Sequence, residues 1–291
     1  MSVLKVDHVT VYRYHRPVRF GTHQMMFRPR DSHDLRLLDA SLLITPPARV
    51  RWMHDVFSNS IAIAEFSDEA DELRFESHIT VELFGLDEPD FPIRGFARTY
   101  PFSYPADQIP DLGRTIERHY TDPDERVGAW VKAFVQSNDP VQTQDLLASI
   151  TRAIRDGFRY RERPEPGIQT PAETLARGEG TCRDYALLMM EAVRSLGMAA
   201  RFATGYLYDP ALDGEGPGLQ GSGAPHAWVQ VFLPGAGWVE FDPTNGLVGG
   251  GNLIRVAVTR DPSQAIPLQG TYEGAPEDYA GMEAWVRVSR V

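Results

Sequence analysis

Two patterns of hydrophobic and polar residues divide the chain. In the first hundred residues apolar and polar positions alternate: in residues 3–14, His8 and Thr10 fall on one face and Val9 and Val11 on the other. This period of two is typical of β-strands. The pattern predicts strands at residues 3–14, 21–27, 35–44, 50–57, 60–66 and 73–84. Closely spaced strands separated by turn residues favour an antiparallel β-sandwich-like domain.

Farther along the chain, apolar residues recur at helical spacing. This pattern predicts helices at residues 126–135, 143–157, 173–177 and 181–196, followed by strands at residues 199–208, 226–233, 238–241, 253–259 and 284–289. Helices followed by an antiparallel sheet indicate an α+β fold. Five prolines in residues 88–110 indicate a linker. We therefore predict a β-rich domain at residues 1–105 and an α+β domain at residues 106–291.

Residues 213–225 contain five glycines and two prolines. Within them, residues 216–221 match the letters of a dinucleotide-binding fingerprint, but that motif requires a helix beginning at its third glycine. The residues that follow, Ser222-Gly223-Ala224-Pro225, cannot begin a helix in that register. We predict a flexible loop that could close over a cleft.

Composition narrows the functional class. The 291 residues carry a formal net charge of −11, which disfavours binding to nucleic acid or to an anionic membrane. A single cysteine excludes a disulfide within the chain and fits a reducing compartment. The first 16 residues alternate charged and apolar residues, unlike a signal peptide. We therefore expect a cytoplasmic protein without a cofactor.

Cys182 is placed for nucleophilic chemistry. It follows Thr181, a good N-cap residue, and Asp184 occupies the position of a capping-box acid. A thiol at a helix N-terminus meets unpaired N–H groups and the positive end of the dipole, which lower the pKa of a cysteine. The alternative is that Cys182 is a small buried hydrophobic residue.

His226 and Asp242 supply the other two groups of a possible triad. His226 begins one predicted strand, and Asp242 ends the next. A three-residue connection at residues 234–236 would place both on one face, because they are 16 residues apart. A carboxylate there could orient the imidazole. Taken singly, the histidine could be structural and the aspartate a turn residue, and the three residues could instead hold zinc.

These residues resemble the transglutaminase-like superfamily of papain-fold cysteine enzymes. The resemblance rests on the segments Gly180-Thr181-Cys182-Arg183-Asp184-Tyr185-Ala186, His226-Ala227-Trp228-Val229 and Trp238-Val239-Glu240-Phe241-Asp242-Pro243-Thr244-Asn245. It implies that a Cys-bearing helix packs on an antiparallel sheet, with Cys182 as nucleophile, His226 as base and Asp242 as orienting acid. The segment His8-Val9-Thr10-Val11-Tyr12-Arg13-Tyr14 is similar to the β-rich N-terminal domain of bacterial transglutaminase-like proteins.

The implied reaction is acyl transfer from a peptide or carboxamide through a thioester, either to water or to an amine. We expect a peptide or protein substrate. The backbone N–H of Cys182 and the hydroxyl of Tyr160 are candidate oxyanion donors. The aromatic residues Trp228, Tyr206 and Trp238 are candidates for the walls of a substrate cleft. The competing hypothesis is a catalytically silent scaffold that binds other proteins.

Overall fold

A computed structural model describes residues 2–84, 91–135, 140–162, 167–213 and 218–291. Residues 88–90 of the predicted linker and residues 214–217 of the glycine-rich segment lie outside the described residues. The fingerprint-like motif at residues 216–221 is therefore described only from Gly218 onward.

Eighteen strands and five α-helices make up the described regions, and the fold is α+β as predicted. The strands are β1 Ser2–Phe20, β2 His23–Met25, β3 Leu35–Thr45, β4 Ala48–His54, β5 Ser60–Phe66, β6 Glu69–Leu83, β7 Thr99–Tyr100, β8 Val141–Gln142, β9 Arg159–Tyr160, β10 Glu179–Gly180, β11 Ala200–Leu207, β12 His226–Leu233, β13 Gly237–Asp242, β14 Leu247–Val248, β15 Leu253–Thr259, β16 Leu268–Gln269, β17 Tyr272–Glu273 and β18 Tyr279–Arg290. The helices are α1 Ile109–Leu112, α2 Arg126–Lys132, α3 Thr143–Gly157, α4 Pro171–Arg177 and α5 Cys182–Ser195.

The N-terminal strands form two antiparallel sheets. One sheet has the order β17-β1-β6-β3, with β18 also paired to β1, and the other has the order β16-β2-β5-β4. Apolar side chains between the sheets form a shared core that includes Phe20, Met25 and Phe75. Alternation along the strands thus buries one face of each sheet against the other.

The C-terminal strand returns to the first sheet. β18 runs antiparallel to β1 from Leu4, opposite Arg290, to Tyr14, opposite Tyr279. The predicted division at residues 105 and 106 placed this strand with the second domain. The division itself stays a prediction, but any description of the N-terminal sheet must include residues 279–290.

The second half of the chain is built around α5. Helix α5 is buried along nearly its whole length, and it packs against α2, α3, α4 and the sheet of order β14-β13-β12-β11-β15. Its side chains share a core with Val229 and Val231 of β12 and Phe241 of β13. A helix that is apolar on most sides must be central, so the N-terminus of α5 is held from several directions.

The described part of the predicted linker is packed, because Ile93, Ala97 and Tyr104 are buried. Polar contacts also join the two halves of the chain. His8 Nδ1 lies 3.0 Å from the hydroxyl of Tyr206, and Arg255 contacts Asp34 at 3.2 Å.

The described helices include none with the length and apolar character needed to cross a membrane.

Candidate active site

The start of α5 is fixed by hydrogen bonds around Asp184. Thr181 is the N-cap residue, and its N–H and hydroxyl donate to Asp184 Oδ2 at 2.8 and 2.9 Å. The N–H of Gln169 donates to Oδ1 of the same carboxylate at 2.7 Å. A Cβ on Gly180 would lie 2.9 Å from the Cβ of Asp184, so the close approach requires glycine. The predicted cap is confirmed, and Cys182 is the first helical residue.

The hairpin of β12 and β13 brings His226 to Asp242. Leu233 pairs with Gly237, which leaves the predicted three-residue connection, and Val229 pairs with Phe241. This register places His226 and Asp242 on one face, and Nε2 of the imidazole lies 2.9 Å from Oδ2 of the carboxylate. Both side chains are fully buried. The geometric prediction for this pair is confirmed.

Two further groups hold the carboxylate of Asp242. The N–H of Thr244 donates to Oδ1 at 2.9 Å, and the side-chain amide of Asn245 donates to Oδ2 at 2.8 Å. Burial alone would raise the pKa of Asp242, but the charge of His226 and these hydrogen bonds hold the pKa below its ordinary value. Asp242 is therefore an anion at neutral pH.

The histidine is correspondingly basic. Burial alone would lower the pKa of His226, but Asp242 and the neighbouring thiol of Cys182 raise it to about 10. Nδ1 of His226 is buried and has no hydrogen-bond partner among the described residues. Since Nε2 is bonded to Asp242, Nδ1 is the nitrogen that is free to exchange a proton with the thiol.

Cys182 and His226 line the same cavity. It has a volume of about 610 Å³, and its walls include the apolar side chains of Ile168, Ile266 and Pro267. The cysteine is 7% exposed and the histidine 1%. The reactive groups are thus recessed at the bottom of a largely apolar cleft that could surround a substrate chain.

Other residues fix the rim of the cavity. Arg183 donates to the carbonyl oxygens of Pro262 at 2.7 Å and Ala265 at 3.2 Å, which holds the segment that carries Ile266. Tyr120 also lines the cavity, and its N–H donates to the buried carboxylate of Glu191 at 3.2 Å. Both of these lining segments are therefore tied to helix α5.

Tyr160 lies beside the cysteine. Its strand β9 runs parallel to β10, and Tyr160 pairs with Gly180, two residues before Cys182. Burial is the largest influence that raises the pKa of Tyr160, and the nearby Cys182 raises it further. The hydroxyl therefore keeps its proton at neutral pH and can donate a hydrogen bond near the sulfur.

The structure contradicts the prediction that Trp228 and Tyr206 line the substrate cleft. Trp228 is fully buried, packs with Ala203 and Leu253, and stacks behind His226 with ring centroids 6.1 Å apart. Tyr206 is 2% exposed and faces the N-terminal sheet, where it meets His8. Alternation identifies the two faces of a strand but not what covers each one. Trp238 lies outside the described cavity lining and packs with Phe232.

Sequence reasoning missed Asn245 and the loop that it holds. The Asn245 amide donates to Gln220 O at 3.1 Å, and Oδ1 accepts from Gln220 N at 2.8 Å. Nearby, Gly221 has a φ of +85°, and a Cβ there would lie 2.8 Å from Nδ1 of His226. The loop from Gly218 to Pro225 thus covers the imidazole. An asparagine three residues after Asp242, in a turn, was the available signal.

The zinc hypothesis finds no support in the geometry. Across residues 2–84, 91–135, 140–162, 167–213 and 218–291, no group of three or more metal-ligating side chains is arranged to hold a metal ion. His226 and Asp242 are instead hydrogen-bonded to each other.

Comparison with known proteins agrees with this architecture. Residues 4–82 match the bacterial transglutaminase-like N-terminal region, and residues 129–243 match the transglutaminase-like superfamily. An uncharacterized protein of Mycobacterium leprae is 25% identical over 271 residues, which cover 93% of this chain and 93% of that protein. An uncharacterized protein of Mycobacterium tuberculosis is 25% identical over 275 residues, covering 91% and 86% respectively.

A solved structure from Cytophaga hutchinsonii, described as a "putative cysteine protease", superposes with a TM-score of 0.73. The two sequences are 20% identical, and the match covers 100% of this chain and 91% of the other. At this identity the likeness shows a shared fold. The matched segments at residues 4–82 and 129–243 are what show that the chain belongs to the transglutaminase-like superfamily.

Proposed function

We propose that this protein is a cysteine enzyme that transfers the acyl group of a peptide or carboxamide through a thioester on Cys182. One observation carries the proposal: Cys182 and His226 line one cavity, while His226 is hydrogen-bonded to Asp242 at 2.9 Å. This order of thiol, imidazole and carboxylate is that of a nucleophile, its base and the group that orients the base.

The chemistry follows from these three side chains. The thiolate of Cys182 attacks the carbonyl carbon and forms a C–S bond, and the electron pair of the C=O bond moves onto the oxygen. When that oxygen reforms the carbonyl, the C–N bond breaks, and the leaving amine takes a proton from His226. A thioester and a neutral imidazole remain. His226 then removes a proton from the acceptor, which bonds to the carbonyl carbon; the C–S bond breaks, and Cys182 leaves as the thiolate beside the protonated imidazole.

Two donors are positioned for the negative oxygen of the intermediate. Cys182 is the first residue of α5, so its backbone N–H has no partner within the helix. The hydroxyl of Tyr160 stands beside the same sulfur. Donors fixed in advance around a developing charge are among the largest contributions to catalysis. We assign the oxyanion site to this pair.

We propose hydrolysis as the main outcome, because water is always available to attack a thioester. A primary amine that entered the same cavity would instead give a new amide. The substrate that we propose is a peptide or protein, whose chain can present apolar side chains to Ile168 and Ile266.

The test is mass spectrometry of a glutamine-containing peptide library incubated with the protein and a primary amine. Cleaved or deamidated peptides would support hydrolysis, and amine adducts would support cross-linking. Both should be absent with Cys182→Ala. If wild type and Cys182→Ala give the same products, the proposal is wrong.

A second measurement separates an enzyme from a silent scaffold. A thiol-directed amide or epoxide probe should label Cys182 in wild type. Labelling should be strongly reduced in His226→Ala, because the imidazole no longer stabilises the thiolate. Equal labelling of the two proteins would favour the scaffold, in which Cys182 is not activated.

A further inference from the structure

A groove opens at one edge of the N-terminal sandwich. β3 is the last strand of the first sheet and β4 is the last strand of the second, so each has one edge without a neighbouring strand among the described residues. Between these edges lies a cavity of about 580 Å³. None of its lining residues lines the cavity that contains Cys182, so the groove is a separate feature.

The floor of the groove is apolar. Val50 pairs with Ala64 and Trp52 with Ala62, and both alanines are fully buried in the core of the sandwich. Val50 and Trp52 therefore lie on the inner face of their sheet, although they are 37% and 49% exposed. Leu42 of β3 faces them across the groove. The sandwich is thus left open where a further apolar side chain would fit.

The charge of the groove is opposite to that of the molecule. Its lining includes Arg28 and His54 but no carboxylate, whereas the whole chain has a formal net charge of −11. The guanidinium of Arg28 lies 5.9 Å from the centre of the Trp52 ring. Two more arginines of β4, Arg49 and Arg51, lie on the outer face of the same strand, where Arg49 pairs with Glu65. A positively charged, apolar groove favours binding of an acidic partner, because the opposite charges attract each other across the interface.

We propose that this groove binds an extended acidic segment of a partner protein, in which aromatic or aliphatic residues alternate with Asp or Glu. The free strand edges offer backbone hydrogen bonds to an extended chain. Alternate side chains of such a chain point to opposite sides. Its apolar residues face inward and pack on Trp52 and Leu42, and its carboxylates face outward, on the side of β4 that carries Arg51. β4 has seven residues, which sets the length of the bound segment.

The test uses a fluorescein-labelled eight-residue peptide with the sequence Glu-Phe-Asp-Leu-Glu-Phe-Asp-Leu and a matched peptide with lysine at the four acidic positions. Fluorescence anisotropy with the full chain should show at least tenfold tighter binding of the acidic peptide. The affinity should fall as salt is raised. Equal affinity for both peptides, or no binding of the acidic one, would overturn the proposal.

Two tryptophan variants locate the site. Trp52→Ala should weaken binding of the acidic peptide at least tenfold, because aromatic anchors carry much of the affinity at such interfaces. Trp285→Ala is the matched control, since Trp285 is 47% exposed on the edge strand β18. Both variants should melt at the temperature of wild type. A loss of binding in Trp285→Ala alone would place the peptide elsewhere and contradict the proposal.

Two further measurements keep this proposal independent of the catalytic one. Cys182→Ala should bind the acidic peptide as wild type does, so an absence of enzymatic activity would leave the result unchanged. Sedimentation of wild type and Trp52→Ala distinguishes a partner from a second copy of this chain. If wild type is a dimer and Trp52→Ala is a monomer, the groove binds a second copy of this chain and the proposal is wrong.

Discussion

The imidazole of His226 and the carboxylate of Asp242 form a fully buried pair, with 2.9 Å between Nε2 and Oδ2. The pair orients Nδ1 of the histidine toward Cys182 and favours the charged imidazole. Its contribution to reactivity and to stability can be measured separately.

Replacement of Asp242 by asparagine should abolish most activity while the cysteine remains in place. Asp242→Asn removes the charge that stabilises the imidazolium, and turnover of an amide substrate should fall on the order of 10³- to 10⁴-fold. Asp278→Asn, which removes a carboxylate paired with Arg16 at 2.7 Å, is the control and should leave turnover unchanged. A turnover in Asp242→Asn within tenfold of wild type would contradict the assigned role.

The raised pKa of His226 predicts a loss of stability at alkaline pH. The pKa is about 10 in the folded protein against 6.5 in the unfolded chain, so the stabilisation is complete below about pH 6.5. It is lost as the pH rises toward 10. The free energy of unfolding by urea should therefore decrease from pH 7 to pH 10 more steeply in wild type than in His226→Gln. Parallel pH profiles would show that the histidine is not charged in the fold.

Tyr160→Phe should slow acyl transfer without affecting the thiol. The loss of one oxyanion donor costs on the order of 10²- to 10³-fold in turnover. Alkylation of Cys182 by iodoacetamide forms no oxyanion, so its rate should change less than threefold. If alkylation and turnover fall together, Tyr160 acts on the sulfur rather than on the oxyanion.

Asn245→Ala should release the loop over the histidine. Asn245 joins Asp242 to both backbone groups of Gln220, and its loss should increase hydrogen exchange in residues 218–225 and lower turnover about tenfold. Asn252→Ala, in the turn before β15, is the control. Unchanged exchange in residues 218–225 would show that the loop is held by other contacts.

Glu191→Ala should destabilise the fold strongly. Its fully buried carboxylate accepts from Arg194 at 2.9 Å and from the N–H of His119 at 3.0 Å. Removal of one member of a buried ion pair costs about 3–5 kcal/mol. Urea unfolding measures this loss. The control, Glu117→Ala, removes a carboxylate that is 59% exposed and should change the free energy of unfolding by less than about 0.5 kcal/mol.

Local features of the sequence predicted much of the site. The cap at Thr181 could be predicted because threonine favours the N-cap position of a helix. The contact between His226 and Asp242 could be predicted because an odd number of residues in the hairpin connection places both side chains on one face of the sheet. Such relations need no knowledge of distant parts of the chain, which is why they could be predicted.

Long-range relations could not be predicted in this way. The positions of Trp228 and Tyr206 depend on which sheet or loop covers each face of their strands, and periodicity does not contain that information. The contact between Asn245 and Gln220 depends on how a glycine-rich loop folds back. The pairing of β18 with β1 joins residues more than 260 positions apart.

That pairing constrains how the protein is made. On a ribosome, β1 emerges early, yet the strand that completes its outer edge is translated after every residue of the proposed triad. Until then the edge of β1 is exposed, and strand edges of this kind attract other chains. The first sheet to be synthesised is therefore among the last parts of the molecule to be finished, and slow translation would prolong the period in which nascent chains can aggregate.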